Sequence, residues 1–330
     1  MRWMRALQRP HDRDGPDVSD PLPLAVRAAA HWPQTTGAPQ LFMQRENAVF
    51  RVDTTLGPHA LRLHRPFYHS AAALRSELDL MAFLADQGML VPRPLPARDG
   101  ALLVPVAGRH ASLLSWLPGQ PMGQARQPLA VRGTDRTALF AAIGRQMAHL
   151  HALTDRWTLP QGFVRPRWDR DGLVGDAPFW GRFWDHGPPE DRALLLAVRD
   201  RARVLLDAAT GADIGLIHAD IGNENVLVHG KSVHFIDFDD SGFGFRLFDL
   251  ATTLYKAAAE PDFPQLQAAL LAGYAEGRPL PDLTLLPLFI VLRSLTYLGW
   301  IAARRQEPGI AAKAEAYLAT ARRLIAACLP

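Results

Sequence analysis

A polar stretch between apolar runs, residues 214–250, constrains this chain more than any other part of it. It contains His218, Asp220 and Asn225 at short intervals. Two short apolar runs joined by a His-Gly turn follow Asn225 and predict a β-hairpin, and the second run ends on Asp237. Because a hairpin returns the chain, we expect Asp220, Asn225 and Asp237 to surround one small volume.

The chemistry of these side chains indicates a metal site beside a proton acceptor. Carboxylate and amide oxygens suit Mg²⁺, which usually takes one or two protein carboxylates and completes its shell with water and phosphate oxygens. Asn225 and Asp237 are the candidate ligands, which leaves Asp220 to accept a proton from a hydroxyl. Asp and Asn are also common turn residues, so each residue alone indicates only a polar turn. Their order between apolar strands favours the catalytic interpretation.

The same residues resemble the catalytic and metal loops of kinases. Protein kinases carry H-R-D-x-x-x-x-N and D-F-G, in which one Asp accepts the substrate proton and the Asn and second Asp hold Mg²⁺. Here Ala219 replaces the Arg and Asp239 replaces the Gly, which favours a small-molecule kinase. The chain is thus similar to the aminoglycoside phosphotransferase/choline kinase-like phosphotransferase family. Residues 61–66 and 241–244 most resemble its homoserine kinase type II and stress-response Ser/Thr kinase branch.

This resemblance implies an α+β, protein-kinase-like bilobal fold. We expect a flexible tail at residues 1–20, a small antiparallel-sheet N-lobe at 21–115 and a larger, mainly helical C-lobe at 116–330. Apolar periodicity predicts helices at 24–32, 70–87, 136–153, 191–208, 263–274, 283–305 and 309–327, with another beginning near Asp249. It predicts strands at 41–43, 48–52, 60–64, 101–106, 111–116, 226–228 and 233–236.

The resemblance also implies a cationic phosphate clamp on the third strand of the N-lobe. The first lysine of the chain is Lys231, so an N-lobe lysine is excluded. Arg62 stands at the corresponding position, and Glu77 on the following helix is its expected partner. Arginine suits this role because its planar group bonds two phosphate oxygens and stays charged. Taken alone, Arg62 equally suits an exposed sheet face, and Glu77 an ordinary helix surface.

The nucleotide contacts are less well defined by the sequence. The Gly-rich loop G-x-G-x-x-G of protein kinases is missing, and the turn 44–47 stands in its place. Ser115, Trp116 and Leu117 fall where the resemblance implies adenine contacts. Trp116 equally suits packing between the lobes.

Three residues are expected to support the site rather than react. His218 is expected to hold the catalytic loop by hydrogen bonding, and the resemblance implies that Asp249 buttresses the same loop. His151 is expected to be a structural histidine with its hydrogen bonds satisfied.

Aromatic residues are dense in the segment 165–190, and this segment is expected to be irregular. It either caps the acceptor pocket or packs in the core, and core packing is favoured for most of its rings. The same two interpretations apply to further aromatic residues, with packing again favoured: Tyr255, Tyr274, Tyr297 and Trp300.

Composition restricts the class of protein. The formal net charge of the 330 residues is +3, and the basic residues are almost all scattered arginines, so no nucleic-acid patch is expected. The single Cys328 excludes an internal disulfide and is typical of a reducing cytosol. No membrane span is expected, because Arg293 interrupts the longest apolar run. We expect a cytoplasmic monomer or homodimer.

The resulting hypothesis is a phosphotransferase that uses ATP and Mg²⁺ and a small-molecule hydroxyl acceptor. Homoserine, choline or another amino alcohol is the expected acceptor. An aminoglycoside is less favoured, because the C-terminal helices carry few carboxylates. The alternatives are a Ser/Thr protein kinase of the stress-response type and a non-catalytic nucleotide-binding pseudokinase. A two-metal hydrolase is disfavoured, since the chain lacks the necessary His and Asp clusters.

Overall fold

The computed structural model describes residues 20–44, 47–124, 129, 135–302, 304 and 310–329. The predicted tail, apart from Asp20, and residues 45–46 of the predicted phosphate turn lie outside these ranges. The chain divides into two compact units. The first contains the described residues up to Tyr68 together with Leu95–Leu114, and the second contains His69–Pro94 and the described residues from Ser115 onward.

Regular structure covers most of the described chain. Its strands are β1 (Gln40–Gln44), β2 (Ala48–Thr54), β3 (Gly57–Leu63), β4 (Pro94–Leu95), β5 (Val104–Val106), β6 (Arg109–Ser115), β7 (Gln120–Pro121), β8 (Arg167–Trp168), β9 (Ile214–Ile217), β10 (Val226–His229), β11 (Ser232–Phe235) and β12 (Gly242–Phe245). Its helices are α1 (Leu22–Ala29), α2 (Ala71–Asp86), α3 (Arg136–Asp155), α4 (Arg170–Val174), α5 (Pro189–Ala208), α6 (Arg246–Ala257), α7 (Phe263–Gly277), α8 (Leu286–Ala302) and α9 (Ile310–Cys328).

The first unit is built on an antiparallel sheet with the strand order β1-β2-β3-β6-β4, and β5 pairs with β6. Strands β2 and β3 form a hairpin whose turn includes Gly57 at φ +99°, a backbone conformation that favours glycine. Alternate residues of β2, such as Phe50 and Val52, are completely buried, as expected when one sheet face covers a core. Helix α1 belongs to the same core, and Trp32 just beyond it donates a hydrogen bond to the carbonyl of Leu95 at 2.8 Å.

The second unit is mainly helical, and its helices α3 and α7 touch through their backbones. A Cβ atom on Gly144 of α3 would lie 2.1 Å from the carbonyl oxygen of Leu270, and one on Gly273 of α7 would lie 2.0 Å from that of Ala141. Only glycine at these two positions permits the observed approach. Two small sheets, β11-β10-β7 and β8-β12-β9, accompany the helices.

Helix α2 belongs to the second unit by its backbone contacts. From the sequence, it was expected in an N-lobe spanning residues 21–115. Hydrogen bonds explain the grouping. Ser76 accepts one from the backbone N–H of Val164 at 2.9 Å, and Arg165 donates one to the carbonyl of Ala73 at 2.9 Å. The ends of α2 follow the sequence signals: Ser70 caps its first turn, and Gly88 follows at φ +82°.

The predicted α+β, protein-kinase-like fold is confirmed, with an antiparallel sheet in the N-terminal region and mainly helical structure after it. No membrane span was expected from the sequence, and one helix is nevertheless apolar over the length of a span although Arg293 lies within it. Residues Leu283–Ile301 are long and apolar enough to cross a membrane by length and composition, and 78% of that stretch is buried inside the protein. Burial of this kind is typical of a core helix.

Candidate active site

The catalytic loop predicted from the sequence joins β9 to β10 and is anchored by Asp249 of α6. The carboxylate of Asp249 accepts hydrogen bonds from the backbone N–H groups of His218 at 2.9 Å and Ala219 at 2.6 Å. Ala219 has φ +67°, an uncommon conformation for a residue with a side chain, so the loop is held in a sharp turn. Thr253, one turn further along α6, donates to the carbonyl of Ile221 at 2.9 Å. Asp249 therefore buttresses the loop, as predicted.

His151 of α3 fixes the other side of the Asp249 carboxylate. Its Nε2 lies 3.1 Å from Asp249 Oδ2, and its Nδ1 lies 2.9 Å from the hydroxyl of Tyr274. Burial lowers the pKa of His151 to about 4, so the ring is neutral at pH 7. Burial alone would raise the pKa of Asp249, but the hydrogen bond from His151 and those from the loop outweigh it and lower that pKa. His151 is thus the satisfied structural histidine that the sequence predicted.

The imidazole ring of His218 is hydrogen-bonded to backbone groups on both sides. Its Nε2 donates to the carbonyl of Ile236 at 3.0 Å, and its Nδ1 accepts from the N–H of Asp220 at 3.3 Å. The side chain is fully buried against Phe238, and burial lowers its pKa. Both ring nitrogens are thus engaged by backbone groups, which is the arrangement expected of a residue that holds the loop by hydrogen bonding.

Asn225 is oriented by Asp220. Its amide Nδ2 donates to the backbone carbonyl of Asp220 at 2.9 Å and to the carboxylate Oδ2 of the same residue at 2.9 Å. Two acceptors on one side of the amide fix its orientation, because only the nitrogen can donate. The Asn225 Oδ1 is therefore the amide atom turned away from these two acceptors.

The second oxygen of Asp220 has a partner that the sequence analysis missed. Asp220 Oδ1 accepts a hydrogen bond from Nη2 of Arg293, a residue of α8, at 2.5 Å. In the sequence, Arg293 stands out only because it interrupts an apolar run. The sequence does contain a signal for a distant acidic partner: no acidic residue lies within four positions of Arg293 to neutralise its charge locally.

Asp237 lies beside Asn225 at the end of the hairpin. The ladder of β10 and β11 pairs Val226 with Phe235, and the N–H of Ile236 donates to the carbonyl of Asn225 at 3.0 Å. Asp237 follows directly, exposed and at φ +65°. The hairpin thus returns the backbone at Asp237 to the neighbourhood of Asn225, which is itself hydrogen-bonded to Asp220.

The loop after Asp237 is held by the aromatic segment. Arg165 donates to the carbonyls of Phe238 at 3.0 Å, Asp239 at 2.6 Å and Ser241 at 2.7 Å. The indole of Trp168 donates to the carbonyl of Asp240 at 2.7 Å. Most rings of residues 165–190 are buried, so the core-packing interpretation is confirmed for them: Trp168, Trp180, Phe183 and Trp184.

The predicted nucleotide residues belong to different parts of the molecule. Arg62 is buried on β3 of the first unit, and Glu77 is buried on α2 of the second. Ser115, Trp116 and Leu117 are half-buried in the second unit, where β6 ends. The Ser115 hydroxyl accepts from the N–H of Arg93 at 2.8 Å.

Comparison with known proteins agrees with this site. The sequence profile of the phosphotransferase enzyme family matches residues 41–283, which include the loop, the hairpin and Asp237. The chain belongs to this family. This phosphotransferase is also 30% identical over 246 residues to a homoserine kinase of Rhizobium johnstonii, with 72% of this chain and 70% of the relative covered.

Solved structures of kinases share the fold of the phosphotransferase. A microcompartment-associated aminopropanol kinase is 31% identical, with a TM-score of 0.79 and coverage of 92% of this chain and 98% of that one. An amicoumacin kinase in complex with AMP-PNP, Ca²⁺ and Ami is 19% identical, with a TM-score of 0.73 and coverage of 92% and 94%. The family resemblance and the enzyme class predicted from the sequence are confirmed.

Proposed function

We propose that this phosphotransferase moves the γ-phosphate of ATP, with Mg²⁺, to the hydroxyl of a small amino alcohol or hydroxy amino acid. The observation that carries this proposal is the orientation of Asn225. Its amide nitrogen is committed to Asp220, which leaves its oxygen for a cation, and the N–H of Ile236, the residue before Asp237, donates to the Asn225 backbone carbonyl. The catalytic loop would thus present the Asp220 carboxylate to an acceptor, and Asn225 and Asp237 would each offer one oxygen to a cation.

The chain's own residues fit a magnesium ion. Asn225 Oδ1 and the exposed carboxylate of Asp237 would hold it, which is the small number of protein ligands that Mg²⁺ usually takes. Once bound, the cation neutralises charge on the phosphate oxygens during transfer.

Asp220 accepts or orients the proton of the acceptor hydroxyl. A carboxylate at a fixed position contributes mainly by placing the hydroxyl for in-line attack on the phosphorus, because phosphoryl transfer depends on positioning and electrostatics. The family pattern assigns Arg62 and Glu77 to a phosphate clamp and residues 115–117 to adenine.

The aromatic residues near Asp220 favour a small acceptor over choline. A choline site needs the open faces of several rings around a quaternary ammonium. The guanidinium of Arg293 lies 4.8 Å from the ring centre of Trp180 and 4.5 Å from that of Tyr297, and Lys256 Nζ lies 4.9 Å from Tyr297. The chain's own cations therefore occupy these rings. Similarity to a homoserine kinase and an aminopropanol kinase supports a small hydroxylated amine.

One experiment distinguishes the proposed function from its two alternatives, a Ser/Thr protein kinase and a pseudokinase. Purified protein is incubated with ATP and Mg²⁺ and, separately, homoserine, aminopropanol, choline, an aminoglycoside or a generic protein substrate, with ADP release and phosphorylated product measured together. We expect phosphorylation of homoserine or aminopropanol, abolished by a chelator and restored by Mg²⁺. Product only from the protein substrate would support a protein kinase, and ATP binding without product in any arm would support a pseudokinase.

A further inference from the structure

We infer that Arg293 is a positioning residue for catalysis: it fixes the carboxylate of Asp220 in the orientation that receives the acceptor hydroxyl. The inference rests on the proposed function, because it assigns the base to Asp220. It adds a residue that lies 73 positions from Asp220 in the sequence, on helix α8.

Arg293 is held rigidly in an aromatic environment. Its guanidinium lies 4.5 Å from the ring centre of Tyr297, 4.8 Å from that of Trp180 and 5.7 Å from that of Phe248. The side chain is completely buried. Ring faces attract a cation, and close packing leaves the side chain few alternative rotamers.

Only one nitrogen of Arg293 makes hydrogen bonds within the described part of the chain. Nη2 donates to Asp220 Oδ1 at 2.5 Å and to the hydroxyl of Tyr297 at 2.7 Å, while Nε and Nη1 are buried without a hydrogen-bond partner. Burial alone would lower the pKa of Arg293, but Tyr297 and the carboxylates of Asp220 and Asp240 outweigh it and raise that pKa. Asp220 is thus the carboxylate that pairs directly with the buried charge of Arg293.

Two donors from different elements define the plane of the Asp220 carboxylate. Arg293 of α8 bonds Oδ1, and Asn225 of the catalytic loop bonds Oδ2. An ionised carboxylate offers about four acceptor positions, so these two bonds leave others for an incoming hydroxyl. Without Arg293, Asn225 would hold the carboxylate by Oδ2 alone, and the direction of Oδ1 would no longer be fixed.

Exposure makes the pair asymmetric. The Asp220 side chain is 25% exposed, whereas that of Arg293 is 0% exposed. Removing Arg293 leaves a carboxylate that water reaches, so the main loss falls on catalysis. Removing the Asp220 carboxylate leaves a buried cation without its partner, which costs stability as well. A purely structural arginine would show its main effect on stability.

The test compares Arg293→Met, which keeps the length and apolar stem of the side chain, with Arg304→Met. Arg304 is a second buried arginine stacked on a ring, with its guanidinium 3.8 Å from the ring centre of Trp300, and serves as the matched control. For Arg293→Met we expect kcat for phosphoryl transfer to fall by roughly 10²-fold, with nucleotide affinity within about twofold. Arg293→Lys keeps a buried charge for folding and should retain more kcat than Arg293→Met, though less than the wild type.

The deciding measurement repeats Arg293→Met in an Asp220→Asn background. If Arg293 acts through Asp220, adding Arg293→Met to Asp220→Asn should reduce the residual kcat of the Asp220→Asn protein by no more than about twofold. An equal fold-loss in both backgrounds, or wild-type kcat in folded Arg293→Met, would overturn the inference. A wild type that phosphorylates no acceptor would refute the proposed function and this inference with it, whereas an active wild type with an active Arg293→Met refutes the inference alone.

Discussion

Asp249 accepts a hydrogen bond at 2.6 Å from the backbone N–H of Ala219, a residue held at φ +67°. A buried carboxylate on α6 thereby holds the strained turn just before Asp220. The geometry of the catalytic loop therefore depends on a residue about 30 positions further along the chain.

We expect Asp249→Asn to weaken both the fold and the activity. The amide replaces one acceptor oxygen by a donor, so at least one loop N–H loses its partner in a buried site. The free energy of unfolding should fall by about 1–3 kcal/mol, and kcat should fall more than nucleotide affinity. Urea unfolding and steady-state kinetics measure the two effects. Unchanged values for both would show that the loop does not need this anchor.

We expect stability to decrease in mild acid because of His151. The pKa of His151 is about 4 in the folded protein and about 6.5 in the unfolded chain, so the unfolded chain takes up its proton first as the pH falls. The free energy of unfolding that is linked to the neutral His151 is fully present above about pH 6.5. It is lost progressively down to about pH 4, a loss of up to about 3 kcal/mol. The lowered pKa of Asp249 adds a further loss in the same direction at lower pH.

Urea unfolding across this pH range measures the effect. His151→Gln removes the titrating ring and should flatten the dependence between about pH 6.5 and pH 4. An equally steep dependence in His151→Gln would assign the acid sensitivity to other groups.

We expect Asp237→Asn to raise the Mg²⁺ concentration needed for half-maximal activity by roughly tenfold or more, since a neutral amide is a weaker ligand than a carboxylate. Binding of ATP without metal should change little. Asp185→Asn is the control, because Asp185 is an exposed aspartate that pairs with Arg182. A magnesium requirement equal to that of the wild type would remove Asp237 from the metal site.

We expect Gly144→Ala to destabilise the protein by roughly 3 kcal/mol or more, because its Cβ would overlap the carbonyl of Leu270 and separate α3 from α7. Gly211→Ala is the matched control, since nothing lies within 4 Å of a Cβ at that position. Thermal unfolding of both variants measures the difference. Similar melting temperatures would contradict the close backbone contact.

The sequence was sufficient for the elements whose signals are local. Alternating apolar residues in β2, the Ser70 cap with the glycine after α2, and the His-Gly turn of the β10–β11 hairpin each depend on near neighbours. The hairpin alone brings Asn225 and Asp237 together. Local signals are therefore enough to propose the metal ligands and the base from the sequence.

Features that depend on distant contacts could not be predicted in the same way. The parallel pairing of β8 with β12 joins Arg167 to Phe243, and neither two-residue β8 nor glycine-rich β12 shows strand periodicity. The Arg293–Asp220 pair is similar, because α8 is apolar around its whole circumference and periodicity does not indicate which side faces the loop. The grouping of α2 with the second unit likewise depends on hydrogen bonds to Val164 and Arg165.

The most direct test of the account is the turnover of Asp220→Asn, with folding and nucleotide binding checked on the same protein. Asparagine keeps an oxygen that can accept from Arg293 but does not take up the acceptor proton. We predict that kcat falls by about 10³-fold or more, while the affinity for ATP stays within about threefold. Near-normal turnover in a folded Asp220→Asn protein would contradict the assignment of Asp220 and the mechanism built on it.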